Sequence, residues 1–199
     1  MDHDSYSDDT IRAILSEVRT IAIVGASTNE VRPSFFVTKY LIAKGYRVFP
    51  VNPGLSGQEI AGARIHASLA DIPEAVDMVD IFRASEHVPP IVDEAIRLGV
   101  KVVWMQLGVR HDEAAAKAEA AGLRVVMNRC PKIEYGRLSG EISWAGVNSR
   151  RISARRPTTG TGVQQLTIGR AAAPAATATA SQDASADSPP GNRTDPCER

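Results

Sequence analysis

The chain is poor in the residues from which metal centres and disulfide frameworks are made. It has two cysteines and four histidines in 199 residues, scattered without the short spacings that bring ligands round one ion, so no metal is expected. Cys130 ends an apolar run and Cys197 lies almost at the C-terminus, a poor basis for a disulfide framework, and a reducing compartment is expected. No apolar run reaches the roughly 18 residues needed to cross a bilayer. The opening residues Met1-Asp2-His3-Asp4 are acidic where a secretory signal would be basic and then apolar. A cytoplasmic protein is the expectation. An excess of either charge is also lacking: 23 basic residues balance 23 acidic ones, leaving no global field to steer the protein toward nucleic acid or a membrane.

What the chain does have is a regular alternation. Apolar, β-rich runs at Thr20–Val24, Arg47–Val51, Met78–Phe82, Val100–Met105 and Arg124–Met127 are separated by segments of helix length, the pattern of a parallel sheet with crossover helices. A leading helix over about Asp9–Val18 carries Ile11, Ile14, Leu15 and Val18 at helical spacing behind Ser7, Asp8 and Asp9 as candidate caps. Three further helices, about Ser34–Lys44, Val88–Leu98 and Asp112–Ala121, each run into a glycine and then a strand. In the first of these, Phe36, Tyr40 and Leu41 are expected on one apolar stripe. The fold class predicted is α/β: a doubly wound, mainly parallel Rossmann-like sheet with helices on both faces. Residues 1–148 are expected to form one domain. From 149 to 199 the composition turns to an Arg-rich stretch and then to Ala, Thr, Ser and Pro, which is expected to stay disordered.

In such a sheet the ligand crevice lies beyond the carboxyl ends of the strands, which puts residues 25–32, 52–55, 83–88 and 106–110 on one rim. Ile21-Ala22-Ile23-Val24 breaks into Gly25-Ala26-Ser27 just before a helix, a turn that can offer backbone N–H groups and a positive helix end to a phosphate. Ser27 and Ser34 can add hydroxyl donors, and Arg32 the paired donors that suit phosphate oxygens. A dinucleotide dehydrogenase would then place an acid about 20 residues on, to hold the ribose hydroxyls. That place carries Asn52-Pro53. The missing acid removes a partner for a free ribose diol and also removes repulsion against a ribose that bears a phosphate, as in coenzyme A. Asn52 is expected to offer its amide to the ribose and Pro53 an apolar edge to adenine, with Phe82 and Arg83 at the next strand end completing the cofactor-binding set.

These stretches, together with Val79-Asp80-Ile81-Phe82-Arg83, Val103-Trp104-Met105-Gln106-Leu107-Gly108 and Asn128-Arg129-Cys130-Pro131-Lys132-Ile133-Glu134-Tyr135-Gly136-Arg137-Leu138, resemble the CoA-binding domain family. These are small Rossmann-like proteins, related in fold to the NAD(P)-binding domain superfamily and to the N-terminal domain of the succinyl-CoA synthetase α subunit. The resemblance runs from about Asp9 to Leu138. It implies CoA or an acyl-CoA at the switch point of the sheet, pyrophosphate over the first loop and adenosine near the end of the second strand. It implies no reaction, since no second domain follows to hold the synthetase's phosphorylated histidine.

The chain is therefore read as a binding module without catalytic residues, the alternative being an NAD(P)-dependent oxidoreductase. Tyr40 and Lys44 have the spacing of the short-chain dehydrogenase pair but lie on the first crossover helix, the wrong place for it. Cys130 is read as a buried small residue, against the sharper idea of a thiolate that meets the CoA thiol. His87 is read as a loop or capping residue. Four arginines between Arg150 and Arg156 have no aromatics among them for base stacking, so nucleic acid is not the expected partner; protein partners are left open.

Overall fold

The computed structural model describes residues 2–141. The expected domain end at residue 148 and the expected disordered tail lie outside the described residues. The chain opens with α1 (Asp8–Glu17), capped as anticipated by Ser7, whose hydroxyl accepts from the Thr10 amide. It continues through β1 (Thr20–Val24), α2 (Pro33–Ala43) and β2 (Arg47–Val51), both strands having the predicted bounds. After a single 3-10 turn at Pro53–Leu55 comes a short antiparallel hairpin, β3 (Glu59–Ile60) and β4 (Ala63–Arg64), for which strands of two residues leave no periodic signal. Then follow β5 (Met78–Ile81), α3 (Val88–Arg97), β6 (Val102–Met105), α4 (Asp112–Ala120), β7 (Arg124–Val126) and α5 (Pro131–Ser139).

The main sheet has five strands, all parallel, in the order β2-β1-β5-β6-β7. From β1 the chain first moves outward to β2 and then returns past β1 to β5, so the direction of winding reverses between β1 and β5. This is the switch point at which a doubly wound sheet opens a crevice. Successive side chains of each strand enter opposite layers. Ile21, Ile23, Met78 and Trp104 pack with α1, α2 and α5, while Ala22, Val79, Ile81 and Val103 pack with α3 and α4. Helices therefore cover both faces, as predicted.

The expected stripe on α2 needs correction. Leu41 is fully buried, but Phe36 is 41% exposed, and Tyr40 is half-buried with its hydroxyl donating to Glu141 Oε2 at 2.6 Å. The residues that face the sheet are Ser34, Val37, Thr38 and Leu41, which follow the i, i+3, i+4, i+7 rule with two hydroxyls in apolar places. Thr38 is admitted because its hydroxyl donates to the Ser34 carbonyl at 2.6 Å. Lys44 is buried as well, and its ammonium pairs with Glu141. Tyr40 and Lys44 thus share one carboxylate at the end of α2 remote from the rim.

α5 has no apolar period because an ionic network fills its buried side. Glu134 takes both Nε and Nη2 of Arg137, whose Nη1 reaches Asp8 at 2.7 Å. Both outer strands of the sheet are covered. Val51 bridges to His66 beside β2, and past the end of β7 the Met127 amide donates to the Tyr6 hydroxyl at 2.8 Å. Among the described residues no helix is long and apolar enough to cross a membrane.

Candidate functional site

The crevice is built from the turn that follows β1. Gly25 takes a φ of +89°, and a Cβ placed there would stand 2.5 Å from the Phe82 carbonyl oxygen and 3.0 Å from Arg83 Cδ. The turn therefore lies directly against the end of β5, and the glycine is required by packing as much as by its dihedral. The amides of Gly25 and Ala26 both donate to the Val51 carbonyl, at 3.0 and 3.2 Å. They are satisfied inside the fold, which leaves the expected anion contacts of the turn to Ser27 and the start of α2.

Beyond Ala26 the chain makes two small local turns. Ser27 Oγ accepts from the Asn29 amide at 3.2 Å, and Asn29 Oδ1 from the Val31 amide at 3.0 Å. Arg32 is the N-cap residue of α2 and makes no capping bond with its side chain; Pro33 begins the helix without an N–H. The first amides of α2 thus meet no capping side chain, and the positive end of the helix stays available to an anion. Ser34, in the first turn of α2, is only 4% exposed.

Asn52 closes the other wall. Its Nδ2 donates to the Ala26 carbonyl at 2.7 Å and its Oδ1 accepts from the Gly54 amide at 3.0 Å. Both ends of the side chain already hold backbone groups, which differs from the open amide expected for a ribose. Pro53 is exposed at the tip of β2, and Phe82 is half-buried with its amide on the Val24 carbonyl at 2.8 Å. The structure brings Gly25, Ala26, Ser27, Arg32, Ser34, Asn52, Pro53, Phe82 and Arg83 to the switch-point half of the rim.

Charge pairing separates that half from the rest. Arg32 and Arg83 are exposed, and among the described residues neither side chain has an ion-pair or hydrogen-bond partner. Further along, Arg110 Nη1 is 2.6 Å from Asp4 and its Nε donates to Asp112 at 3.0 Å. Arg129 donates to the Asn128 carbonyl at 2.9 Å and lies over the Tyr6 ring, 5.4 Å from its centroid. α4 is capped as α2 is not, His111 Nδ1 accepting from the Ala114 amide at 3.2 Å. His87, read from sequence as a loop or cap, stands at the N-cap of α3 with no capping bond.

Beneath the rim lie two titratable groups. Asp80 is completely buried, with Gln106 Nε2 3.0 Å from each of its oxygens; burial drives its carboxyl well above the ordinary range, against the smaller opposing effect of that bond. An aspartate inside an apolar strand run is the mark such a group leaves in the sequence. Cys130 is 7% exposed, and burial pushes its thiol upward in pKa, against the smaller lowering effect of the Ile133 amide. This favours the buried small residue over the thiolate.

Residues 19–136 match the family described as CoA binding domain. A Bacillus subtilis protein, YneT, is 34% identical over 125 residues, which cover 63% of this chain and 91% of YneT. Subunit alpha of the ADP-forming acetate–CoA ligase I of Pyrococcus furiosus is 34% identical over 89 residues, only 19% of that subunit. Among solved structures, a Thermus thermophilus protein superposes with a TM-score of 0.64 at 41% identity, covering 67% of this chain and 99% of that one. A Pyrococcus horikoshii protein gives 0.65 at 41%, covering 68% and 94%. With a match that spans more than half its length, the chain belongs to the CoA binding domain family.

Proposed function

We infer that this protein binds coenzyme A, or an acyl-CoA, at the switch-point half of the rim, as a cytoplasmic, non-catalytic binding module formed by residues 1–148. The observation that carries the reading is the pair of unpartnered arginines, Arg32 at the uncapped start of α2 and Arg83 against the Gly25 turn, in a chain of this family. CoA presents a pyrophosphate and a ribose phosphate, and two free guanidiniums with a positive helix end are the groups that such charges need. Asn52-Pro53 in place of an acid supports a ribose that already carries phosphate.

In this reading Gly25, Ala26 and Ser27 form the floor under the pyrophosphate, Ser34 donates from the first turn of α2, and Arg32 and Arg83 neutralise phosphate charge. Asn52 and Pro53 border the adenosine, and Phe82 backs the crevice. The non-catalytic reading is supported by the condition of the titratable groups nearest the crevice. Cys130 is buried as a thiol and Asp80 is sealed beneath Gln106, so neither is presented to a thioester.

Isothermal titration calorimetry of the full chain against CoA, acetyl-CoA, NAD and NADP tests this directly. Preference for CoA or acetyl-CoA is the expected result. Binding of NAD or NADP with CoA silent would replace it with the oxidoreductase reading.

A further inference from the structure

We propose that Asn52 is a positioning residue: it fastens the turn after β1 to the end of β2 and thereby sets the shape of the anion seat, without itself holding the ligand. This rests on the CoA reading and deepens it. Both ends of the side chain are engaged. Nδ2 donates to the Ala26 carbonyl at 2.7 Å, Oδ1 accepts from the Gly54 amide at 3.0 Å, and the Asn52 amide donates to the His66 carbonyl at 2.9 Å.

The bond to Ala26 completes a two-way tie. The Gly25 and Ala26 amides reach across to the Val51 carbonyl, and Asn52 reaches back to the carbonyl of Ala26. The peptide groups on both sides of Ala26 are therefore fixed from β2, while Phe82 and Arg83 press on Gly25 from β5. A turn held on both sides reaches a ligand with its geometry already set, and less binding energy goes into ordering it.

The tie also gives the missing acid a cause that lies in the protein. An aspartate at this position could still accept from Gly54, but it has no proton for the Ala26 carbonyl and would set a negative charge against that oxygen. Only a side chain that both donates and accepts over this distance closes the tie. Asn52 thus excludes the acid by which a free ribose diol would be held, and the choice of ribose follows from how the turn is fastened.

Asn52→Asp is isosteric and replaces the donor with an oxygen that carries negative charge when ionised, and protonating the new carboxyl removes the charge and restores a donor. In the ligand-free protein, hydrogen exchange at Gly25 and Ala26 is expected to be faster than in wild type at pH 8 and to approach wild type near pH 4.5. By calorimetry the variant is expected to bind CoA at least about tenfold more weakly at pH 8 and to recover as pH falls, each point being compared with wild type at the same pH. Asn52→Ala should stay weak throughout, and CoA and 3′-dephospho-CoA should lose affinity by the same factor.

Unchanged exchange in Asn52→Asp, or a loss confined to CoA with 3′-dephospho-CoA spared, would overturn the positioning role, the second result marking a direct contact with the ribose phosphate. Wild-type protein that shows no heat with CoA would refute the CoA reading. Faster exchange in the variant would then still establish the tie, since that measurement uses no ligand.

Discussion

The two halves of the rim are made of the same parts and treated differently. Each has a positive-φ glycine after a strand, Gly25 after β1 and Gly108 after β6, then a helix start and nearby arginines. In the β6–β7 half the arginines and the start of α4 are settled internally, although α5 begins after Cys130 without a side-chain cap. Arg110 is held by Asp4 and Asp112, Arg129 lies against Tyr6, α4 is capped by His111, and Gly108 stands in open space. In the β1–β5 half Gly25 is pressed against Phe82, the start of α2 has no side-chain cap, and Arg32 and Arg83 are left unpaired. On the function proposed above, the cations left unpaired at the second place are the ones that meet the negative charge of the ligand.

The sharpest way to break this comparison is at the glycines. Gly25→Ala must accept an unfavourable φ and a backbone oxygen 2.5 Å from the new methyl group. It is expected to lower stability by about 3 kcal/mol or more, strain and overpacking combined, and to abolish CoA binding. Gly108→Ala meets nothing within 4 Å, so only the dihedral cost of about 1 kcal/mol remains. Thermal unfolding of the two variants side by side measures the difference; equal losses would mean that the approach of β5 to the turn has no energetic weight.

The arginines come next. Arg32→Ala and Arg83→Ala are each expected to weaken CoA by more than about 1 kcal/mol, roughly fivefold in Kd, with little change in unfolding temperature. Arg110→Ala should do the reverse, leaving Kd unchanged and lowering stability slightly, as the loss of an exposed pair does. Calorimetry and thermal melts on the three variants separate ligand contact from internal pairing. The contrast can also be erased by construction. Arg110-His111-Asp112 and Arg32-Pro33-Ser34 share a spacing, so Ser34→Asp puts a carboxylate two residues beyond Arg32, as Asp112 stands beyond Arg110. About a tenfold loss of CoA affinity is expected, and a Kd equal to that of wild type would argue against a seat beside Ser34.

The smallest effect belongs to the seam between the halves. Asp80 has its pKa raised in the folded state by burial, so the folded protein holds this proton more tightly than the unfolded chain does. Its contribution to stability is present at and below the ordinary carboxylate range and is lost as pH rises from there toward the folded value, at up to about 1.4 kcal/mol per pH unit while the group titrates. Asp80→Asn should flatten that slope and be at least as stable as wild type at pH 7. Denaturant melts between pH 4 and 8 check it, and a wild-type slope that survives the substitution would assign the proton to another group.

Much of the scaffold could be read from the chain, and the reason is local. Five consecutive apolar or β-branched residues at Thr20–Val24, and helices that stop at Gly45, Gly99 and Gly122, need only neighbouring residues to be recognised. The face of α2 could not be read, because Phe35, Phe36, Val37, Tyr40, Leu41 and Ile42 surround the helix with apolar groups and the sheet alone decides which of them it covers. The pairing of the arginines was hidden for the same reason. Arg110 meets Asp4 across 106 positions and Lys44 meets Glu141 across 97, so nothing in the local sequence of Arg32 or Arg83 marks them as unpaired on the rim. Asn52 shows the limit most clearly. Its position at the strand end was legible, but the carbonyl that it binds belongs to the preceding βα turn.

The covering of the sheet's two outer strands has a consequence for behaviour in a crowded solution. A parallel sheet with a bare edge is a template on which further strands can add, and a chain rich in Val and Ile would be exposed to that risk. Here the segment that returns from the hairpin lies beside β2, and Tyr6 occupies the first amide past the end of β7. Growth by strand addition is thereby hindered from either side, and contacts between copies are directed to helices and loops, whose side chains can discriminate where backbone hydrogen bonding does not.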